Sequence, residues 1–239
     1  MANWKDNLTV VLVEPRNPLN IGTAARAMLN FGFSRLALVA PYEVAFREAR
    51  SAVGAKTVLE RARVTGSLDE AVTEATLVVG TGTQQGRARR QPRRLLPEAA
   101  AALRPHLQRG RAALLFGSEK FGLSNEHLSR GHWILQIPTN PNCPSVNLGQ
   151  AVALCCWELA REGAAPRRTG RAPSRPAAAQ LDRIVERLTT LLDASGYLNP
   201  RTRASNLLKI RRLARRLELS AADAQVLEGM LRQMTWKWG

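Results

Sequence analysis

The first two thirds of the chain alternate between two patterns of hydrophobic and polar residues. Short, nearly continuous apolar runs are typical of parallel strands that are covered on both faces. Such runs occupy residues 8–13, 36–39, 77–80, 112–116 and 133–137. Segments with helical spacing or helix-start signals occupy residues 21–31, 67–74, 97–108 and 124–130. The alternation predicts an α/β fold with a mostly parallel sheet.

A helix and a linker follow the last predicted strand. Residues 148–157 are apolar on nearly every side, which predicts a deeply buried helix in which Cys155 and Cys156 are inert core residues. Residues 164–176 hold three prolines and four arginines without apolar periodicity, which is typical of an extended linker. We therefore expect a domain over residues 1–163, a linker over 164–176 and a basic helical extension over 177–239.

The extension contains two amphipathic patterns. Residues 181–192 follow helical spacing, and residues 203–217 form a second helix. The second pattern gathers its apolar residues in one arc, namely Leu207, Ile210, Leu213, Ala214 and Leu217. The opposite side of that helix is expected to carry five cations, namely Lys209, Arg211, Arg212, Arg215 and Arg216. Solvated helix faces usually mix acids with bases, so this face favours contact with phosphates over simple solvation.

Charge strengthens the case for a polyanionic partner. The 239 residues include 35 Lys and Arg against 19 Asp and Glu, for a net charge of +16. Residues 1–163 hold 20 bases and 13 acids (net +7), whereas the shorter remainder holds 15 and 6 (net +9). A second basic run, predicted as a loop, contributes Arg87, Arg89, Arg90, Arg93 and Arg94. This surplus favours nucleic acid first and an anionic membrane surface second.

Several classes of protein are disfavoured. No apolar stretch reaches the length of a membrane span, and the first residues lack the pattern of a signal peptide, so we expect a cytoplasmic protein without membrane association. The three cysteines form no C-x-x-C pair and the three histidines have no partner at metal-ligand spacing, so no metal site is expected. Neither a G-x-S-x-G elbow nor a phosphate-binding P-loop is present.

Four segments follow predicted strands, and the last three of them could converge on one crevice, because the carboxyl ends of parallel strands share one edge of a sheet. One is the glycine-rich turn G-T-G-T-Q-Q-G, whose spacing differs from the dinucleotide fingerprint but still allows a ligand to approach the backbone. The others are N-I-G-T-A-A-R from Asn20 to Arg26, L-L-F-G-S-E-K-F-G-L, and I-P-T-N-P-N-C-P-S-V-N-L. Asn20 can cap its helix, whereas structure alone explains Arg26 less easily.

The last three segments resemble the three motifs of the SpoU branch of the SPOUT RNA 2′-O-methyltransferases. They occur in the order N-x-G-x-x-x-R, F-G-x-E-x-x-G-L and I-P with S-x-N-L, and the likeness covers essentially residues 6–163. Each motif is weak alone, and together they are specific. The sequence departs from the family at Val146, where leucine is usual, which affects only fine packing.

The resemblance implies a deep trefoil knot, S-adenosylmethionine (SAM) as methyl donor, and a homodimer whose active sites draw on both chains. It implies that the cofactor contacts Thr81, Gly82, Thr83, Gly117, Leu123, Ile137, Pro144, Ser145 and Val146. Arg26 corresponds to the family's catalytic residue, with Asn20, Glu119, Ser145 and Asn147 completing the site. Because arginine side chains stay protonated in proteins, we interpret Arg26 as a clamp on the target phosphate rather than a base.

The sequence is compatible with more than one RNA target. A C-terminal extension of this length is similar to that of family members that modify the first nucleotide of the tRNA anticodon loop, with cytidine or uridine as base. The same motifs also serve ribosomal RNA or other tRNA positions. A non-catalytic RNA-binding protein on the same fold is a further alternative, although retention of all the site residues favours an enzyme. A generic nucleotide-binding enzyme would need a phosphate loop that the sequence lacks.

Overall fold

Seven parallel strands form the sheet of the computed structural model, which describes residues 3–44, 46, 54–83, 91–161 and 174–238. A 3-10 turn, Trp4–Asn7, precedes the first strand. The strands are β1 (Leu8–Val13), β2 (Arg35–Val39), β3 (Arg63–Thr65), β4 (Leu77–Thr81), β5 (Arg93–Leu95), β6 (Ala112–Phe116) and β7 (Trp133–Gln136). Their order across the sheet is β3-β2-β1-β6-β4-β7-β5, and every neighbouring pair is parallel. The predicted fold class is confirmed.

Nine helices with both ends inside the described residues accompany these strands. Those of the first region are α1 (Pro18–Asn30), α2 (Lys56–Glu60), α3 (Leu68–Val72), α4 (Leu96–Leu107), α5 (Asn125–Ser129) and α6 (Leu148–Ala160). Those of the extension are α7 (Ala178–Ala194), α8 (Arg203–Arg216) and α9 (Ala221–Trp238). The greater part of the predicted linker, residues 164–173, lies outside the described residues.

The apolar strands divide the core into two layers, one on each face of the sheet. Along β1, Val10 and Leu12 face the layer shared with α1, α4 and α6, whereas Val11 and Val13 face the layer shared with α3 and α5. This arrangement explains the nearly continuous apolar runs, because both faces of each central strand are covered. Because these neighbouring strands are parallel, the carboxyl ends of β1, β4, β6 and β7 lie at one edge of the sheet.

Helix α6 is not covered on every side. Cys155 and Cys156 are fully buried, and burial raises the pKa of Cys156 to about 12, so both thiols are inert, as expected. The expectation of burial on every side is wrong for Leu154 and Trp157, which are 40% and 47% exposed. Helix α6 packs against α1 and α4 and shares a core layer with the sheet, and these two side chains lie away from that layer.

The three helices of the extension, α7 to α9, pack on one another and contact α3 and α5 of the sheet domain. Leu181 and Ile184 of α7 pack with Ala224 and Leu231 of α9, while α8 packs against the other side of α7. The Ala178 N–H donates to the carbonyl of Ala75 at 2.7 Å, where α7 begins. The extension is therefore anchored to the sheet domain at the start of α7.

A buried cation provides a second anchor. Arg215 is only 2% exposed, and its guanidinium donates to the carbonyl of Arg130 at 3.0 Å and to the carboxylate of Asp182 at 2.7 Å. Arg130 in turn pairs with Asp69 of α3, which holds the pKa of that carboxyl below its ordinary value. Arg215 thus joins α8 both to α7 and to the sheet domain.

This burial corrects the predicted orientation of α8. Arg212 and Arg215 were expected on the open face, but both are buried. Leu213 and Leu217 were expected to pack, but they are 45% and 54% exposed. Helix α8 lies between α7 and α5, so two of its sides are covered and one of them accommodates arginine through ion pairs.

Replacing Arg215 with methionine should destabilise the attachment of the extension, because Asp182 and the Arg130 carbonyl would lose their donors. We expect a loss of about 2 kcal/mol in the free energy of unfolding, measured with urea. The matched control is Arg216→Met on the exposed side of the same helix, with an expected change below about 0.5 kcal/mol. Equal effects of the two substitutions would contradict this role.

Candidate active site

A tight turn after β6 shapes the centre of the site. The Gly122 N–H donates to the Ser118 carbonyl at 2.8 Å, and Gly122 has a φ of +64°, which favours glycine. A Cβ placed on Gly117 would lie 2.0 Å from the backbone carbon of Gly122 and 2.2 Å from the nitrogen of Leu123. The turn closes directly on the end of β6, and for that reason only glycine fits at residue 117.

Glu119, within this turn, binds the loop that follows β1. Its carboxylate accepts hydrogen bonds from the backbone N–H groups of Arg16 (3.2 Å) and Asn17 (3.1 Å) and from the side-chain amide of Asn20 (3.0 Å). Partial burial raises the pKa of Glu119, but these donors outweigh burial and hold it below the ordinary value. The carboxylate is therefore ionised at neutral pH and holds two motifs together.

Asn20 extends the connection to the third motif. The prediction that it caps α1 is wrong, because Asn17 is the N-cap and accepts from the Leu19 N–H at 2.9 Å. Asn20 is buried in the first turn instead, where its side-chain oxygen accepts from the amide of Asn147 at 2.8 Å. Asn147 itself caps α6 through the N–H groups of Gly149 and Gln150. One hydrogen-bonded chain thus links all three motifs.

A cavity of about 530 Å³ opens beside this chain at the carboxyl edge of the sheet. Its lining includes every residue expected to contact a cofactor, namely Thr81, Gly82, Thr83, Gly117, Leu123, Ile137, Pro144, Ser145 and Val146. The hydroxyl of Thr81 donates to the Leu115 carbonyl at 2.8 Å, and the Gly82 N–H donates to the Leu135 carbonyl at 3.1 Å. These bonds fix the glycine-rich turn against the two neighbouring strands.

The other predicted site residues are distributed differently. Glu119 and Ser145 line the cavity, whereas Asn20 and Asn147 are hydrogen-bonded to each other and do not line it. Arg26 does not line it: the residue is exposed in the third turn of α1, about 9 Å along the helix axis from Asn20. The structure therefore assembles the predicted cofactor residues in one place and leaves the predicted catalytic cation outside.

The predicted RNA-binding cations also fall into groups. Arg87, Arg89 and Arg90 lie outside the described residues. Arg93 lines the cavity, and the Arg94 guanidinium lies 4.8 Å from the ring centroid of Trp133. In the extension, Lys209 and Arg216 are exposed, whereas Arg211 is half-buried with its guanidinium 4.0 Å from the Glu126 carboxylate.

Gly54 is a neighbour of Arg26 that the sequence motifs did not indicate. Its φ is +94°, and a Cβ at this position would lie 1.7 Å from Nη1 of Arg26. The guanidinium therefore lies directly on the Gly54 backbone. The only sequence signal was the glycine itself, in an S-A-V-G-A stretch without a strand or helix pattern.

Comparison with known proteins now identifies the class. The sequence profile of the SpoU rRNA Methylase family matches residues 7–157. The chain belongs to this family. Among the described residues, no helix is long and apolar enough to cross a membrane, and no group of three candidate metal ligands occurs.

Relatives that match nearly the full length of the chain are tRNA 2′-O-methyltransferases named TrmJ. The chain is 36% identical to the tRNA (cytidine/uridine/adenosine-2′-O-)-methyltransferase TrmJ of Pseudomonas aeruginosa, over 95% of this chain and 93% of that protein. It is 33% identical to the tRNA (cytidine/uridine-2′-O-)-methyltransferase TrmJ of Klebsiella pneumoniae, over 94% and 95%. The crystal structure of TrmJ from Z. mobilis superposes with a TM-score of 0.81 at 31% identity, covering 95% and 98%.

Gly117→Val should abolish binding of SAM, because the valine side chain would collide with the backbone of the turn and distort the cavity wall. Isothermal calorimetry with SAM measures the loss, and circular dichroism checks that the variant folds. A folded variant with unchanged SAM affinity would contradict this placement of the ligand.

Gly54→Ala should displace the Arg26 guanidinium and lower the rate of RNA methylation by about 10–100-fold, while SAM affinity stays unchanged. Gly196→Ala is the matched control, because Gly196 has a similar φ of +74° but an added Cβ there would meet no atom within 4 Å. Both substitutions strain the backbone, and only the first displaces Arg26. Equal loss of activity in both variants would indicate strain alone.

Proposed function

We propose that the protein transfers a methyl group from SAM to a ribose 2′-hydroxyl of RNA, acting in the cytoplasm. The observation that carries the proposal is the cavity whose lining matches the cofactor residues implied by the family. The chain from Glu119 through Asn20 to Asn147 supports it, because it holds the three motifs in fixed relation beside that cavity. Membership of the SpoU family supports the same reaction class.

The cavity fits a nucleoside-sized ligand such as SAM. Its volume of about 530 Å³ lies within the usual range for small-molecule sites. Leu123, Ile137 and Val146 offer apolar walls for an adenine ring, while the backbone around Gly82 offers polar groups for its edge. When bound, SAM supplies a methyl group already activated on a sulfonium sulfur.

The remaining work falls to residues that handle the RNA. The hydroxyl must be placed in line with the methyl group, its proton must be accepted, and the neighbouring phosphate must be held. We assign Arg26 to the phosphate and to the negative charge that develops on the hydroxyl oxygen. Ser145 and Glu119 line the cavity and would help to place the ribose.

A homodimer reconciles the position of Arg26 with this role. Arg26 is exposed outside the cavity of its own chain, with its guanidinium against the Gly54 backbone. Helices α1 and α6 pack side by side and together expose Leu19, Leu29, Leu154 and Trp157. We propose that a second copy covers this apolar surface and that Arg26 serves the partner's cavity. We also assign the family's trefoil knot to the region between β6 and α6.

For the substrate we propose tRNA, at the first nucleotide of the anticodon loop, with cytidine or uridine as base. The names of the full-length relatives support tRNA, and the match extends through the basic C-terminal helices. The net charge of +9 over residues 164–239 supports RNA contact by the extension.

Nucleoside mass spectrometry tests the proposal. Unmodified tRNA and ribosomal RNA are incubated separately with the protein and SAM, digested and analysed. We expect 2′-O-methylcytidine or 2′-O-methyluridine in tRNA, mapped to the first position of the anticodon loop. Methylation elsewhere would replace the proposed target, and RNA binding without any methylation would favour a non-catalytic protein.

Arg26→Ala should abolish methyl transfer while the affinity for SAM, measured by calorimetry, stays within a few-fold. A mixing experiment adds a test of the dimer. Heterodimers of Arg26→Ala and Gly117→Val subunits would contain one complete site, so partial activity should return when the two inactive proteins are refolded together. No recovery would show that each chain uses its own Arg26, and near-normal turnover by Arg26→Ala would contradict its role.

The exposed cations of α8 should contribute to RNA affinity. Replacing Lys209 and Arg216 with glutamine should weaken tRNA binding and flatten the slope of log affinity against log salt by about 0.7–0.9 for each phosphate that is no longer neutralised. SAM binding should not change. If the KM for tRNA and the salt slope both stay the same, the extension serves stability or dimerisation instead.

A further inference from the structure

We propose that Phe121 is the stacking surface for the unpaired base of the target nucleotide, with Lys120 beside it for the adjoining phosphate. The proposal rests on the proposed function and adds a substrate-contacting side chain to it. It starts from one unusual feature of the site: a large aromatic ring stands in solvent at the rim of the cavity, 64% exposed.

The turn that carries Phe121 is held rigidly on both sides. On one side, Glu119 accepts three hydrogen bonds from the loop after β1 and the start of α1. On the other side, Leu123 is buried in the core, and Gly122 closes the turn onto Ser118. Phe121 and Lys120 project from the tip between these two fixed points. The exposed ring is therefore presented by a rigid support rather than by a loose loop.

The chemistry around the ring suits a nucleotide. The ammonium of Lys120 lies 5.1 Å from the centroid of the Phe121 ring, and Arg93 lines the same cavity. Proteins recognise single-stranded RNA largely by stacking unpaired bases on aromatic side chains and pairing the phosphates with cations. An aromatic ring and two cations at one opening provide both kinds of contact.

The position of the ring separates this role from cofactor binding. The walls of the cavity interior are formed by side chains that are largely buried, such as Leu123 and Ile134. Phe121 stands at the outer rim, where a ribose whose hydroxyl entered the cavity would place its base. Stacking is tolerant of base identity, so Phe121 would hold either pyrimidine and would leave selection between them to other groups.

A series of substitutions at residue 121 tests the proposal with full-length protein and the tRNA methylated by the wild type. Phe121→Trp and Phe121→Tyr keep a ring, whereas Phe121→Leu keeps only an apolar side chain of similar size. We expect the KM for tRNA to rise about 5–100-fold in Phe121→Leu and Phe121→Ala and to change less than about threefold in the ring-bearing variants. The Kd for SAM should stay constant throughout.

A fluorescent base provides a readout that a structural role would not change. Pyrrolo-cytidine, whose emission falls on stacking, is placed at the target position of a synthetic anticodon stem-loop. Wild type and Phe121→Trp should quench it on binding, and Phe121→Leu should quench it less at saturating protein.

Three results would overturn the proposal: equal quenching by Phe121→Leu, loss of SAM affinity in Phe121→Ala, or dissociation of the Phe121→Ala dimer in sedimentation. The second would make Phe121 part of the cofactor wall, and the third would make it a subunit contact. Failure of the proposed function is distinct, because wild-type protein would then methylate no RNA.

Discussion

The site depends on the Glu119 carboxylate. Three N–H donors from the loop after β1 and the start of α1 converge on its two oxygens. One of these donors is the side-chain amide of Asn20, whose oxygen accepts a hydrogen bond from Asn147. These segments are about 100 residues apart in sequence, at the ends of adjacent strands. Because hydrogen bonds to an ionised acceptor are stronger than neutral ones, the Glu119 carboxylate fixes the turn after β6 against the loop after β1. The loop before α6 joins them through the bond from Asn147 to Asn20. The glycine-rich turn after β4 needs no such bond, since strands on both sides already hold it.

Much of this fold could be predicted from sequence because the central strands are covered on both faces. Their apolar runs end within one residue of the observed strands, as in β1 and β6. β3 and β5 escaped prediction because they are three residues long, and their exposed or half-buried side chains include arginines. Convergence of the loops at one edge followed from parallel topology, but the partners of each polar side chain did not.

Two errors have a common cause. Asn17 and Asn20 can both cap a helix, and only the position of Glu119 in space decides that the second asparagine is needed elsewhere. In α8, periodicity predicted an apolar arc. It could not show that Arg215 binds the Asp182 carboxylate of α7 and the Arg130 carbonyl of the sheet domain. Local pattern locates a side chain on a helix; the partners that make its burial tolerable belong to other segments.

The uneven burial of the thiols has a practical consequence. Cys155 and Cys156 are sealed in α6, whereas Cys143 is exposed in the loop that supplies Pro144 and Ser145 to the cavity. A maleimide reagent added to the native protein would therefore modify Cys143 and spare the other two. The unaltered chain thus carries its own attachment point for a fluorophore or spin label, in the same loop as side chains of the site. Spectroscopy of ligand entry needs no engineered cysteine.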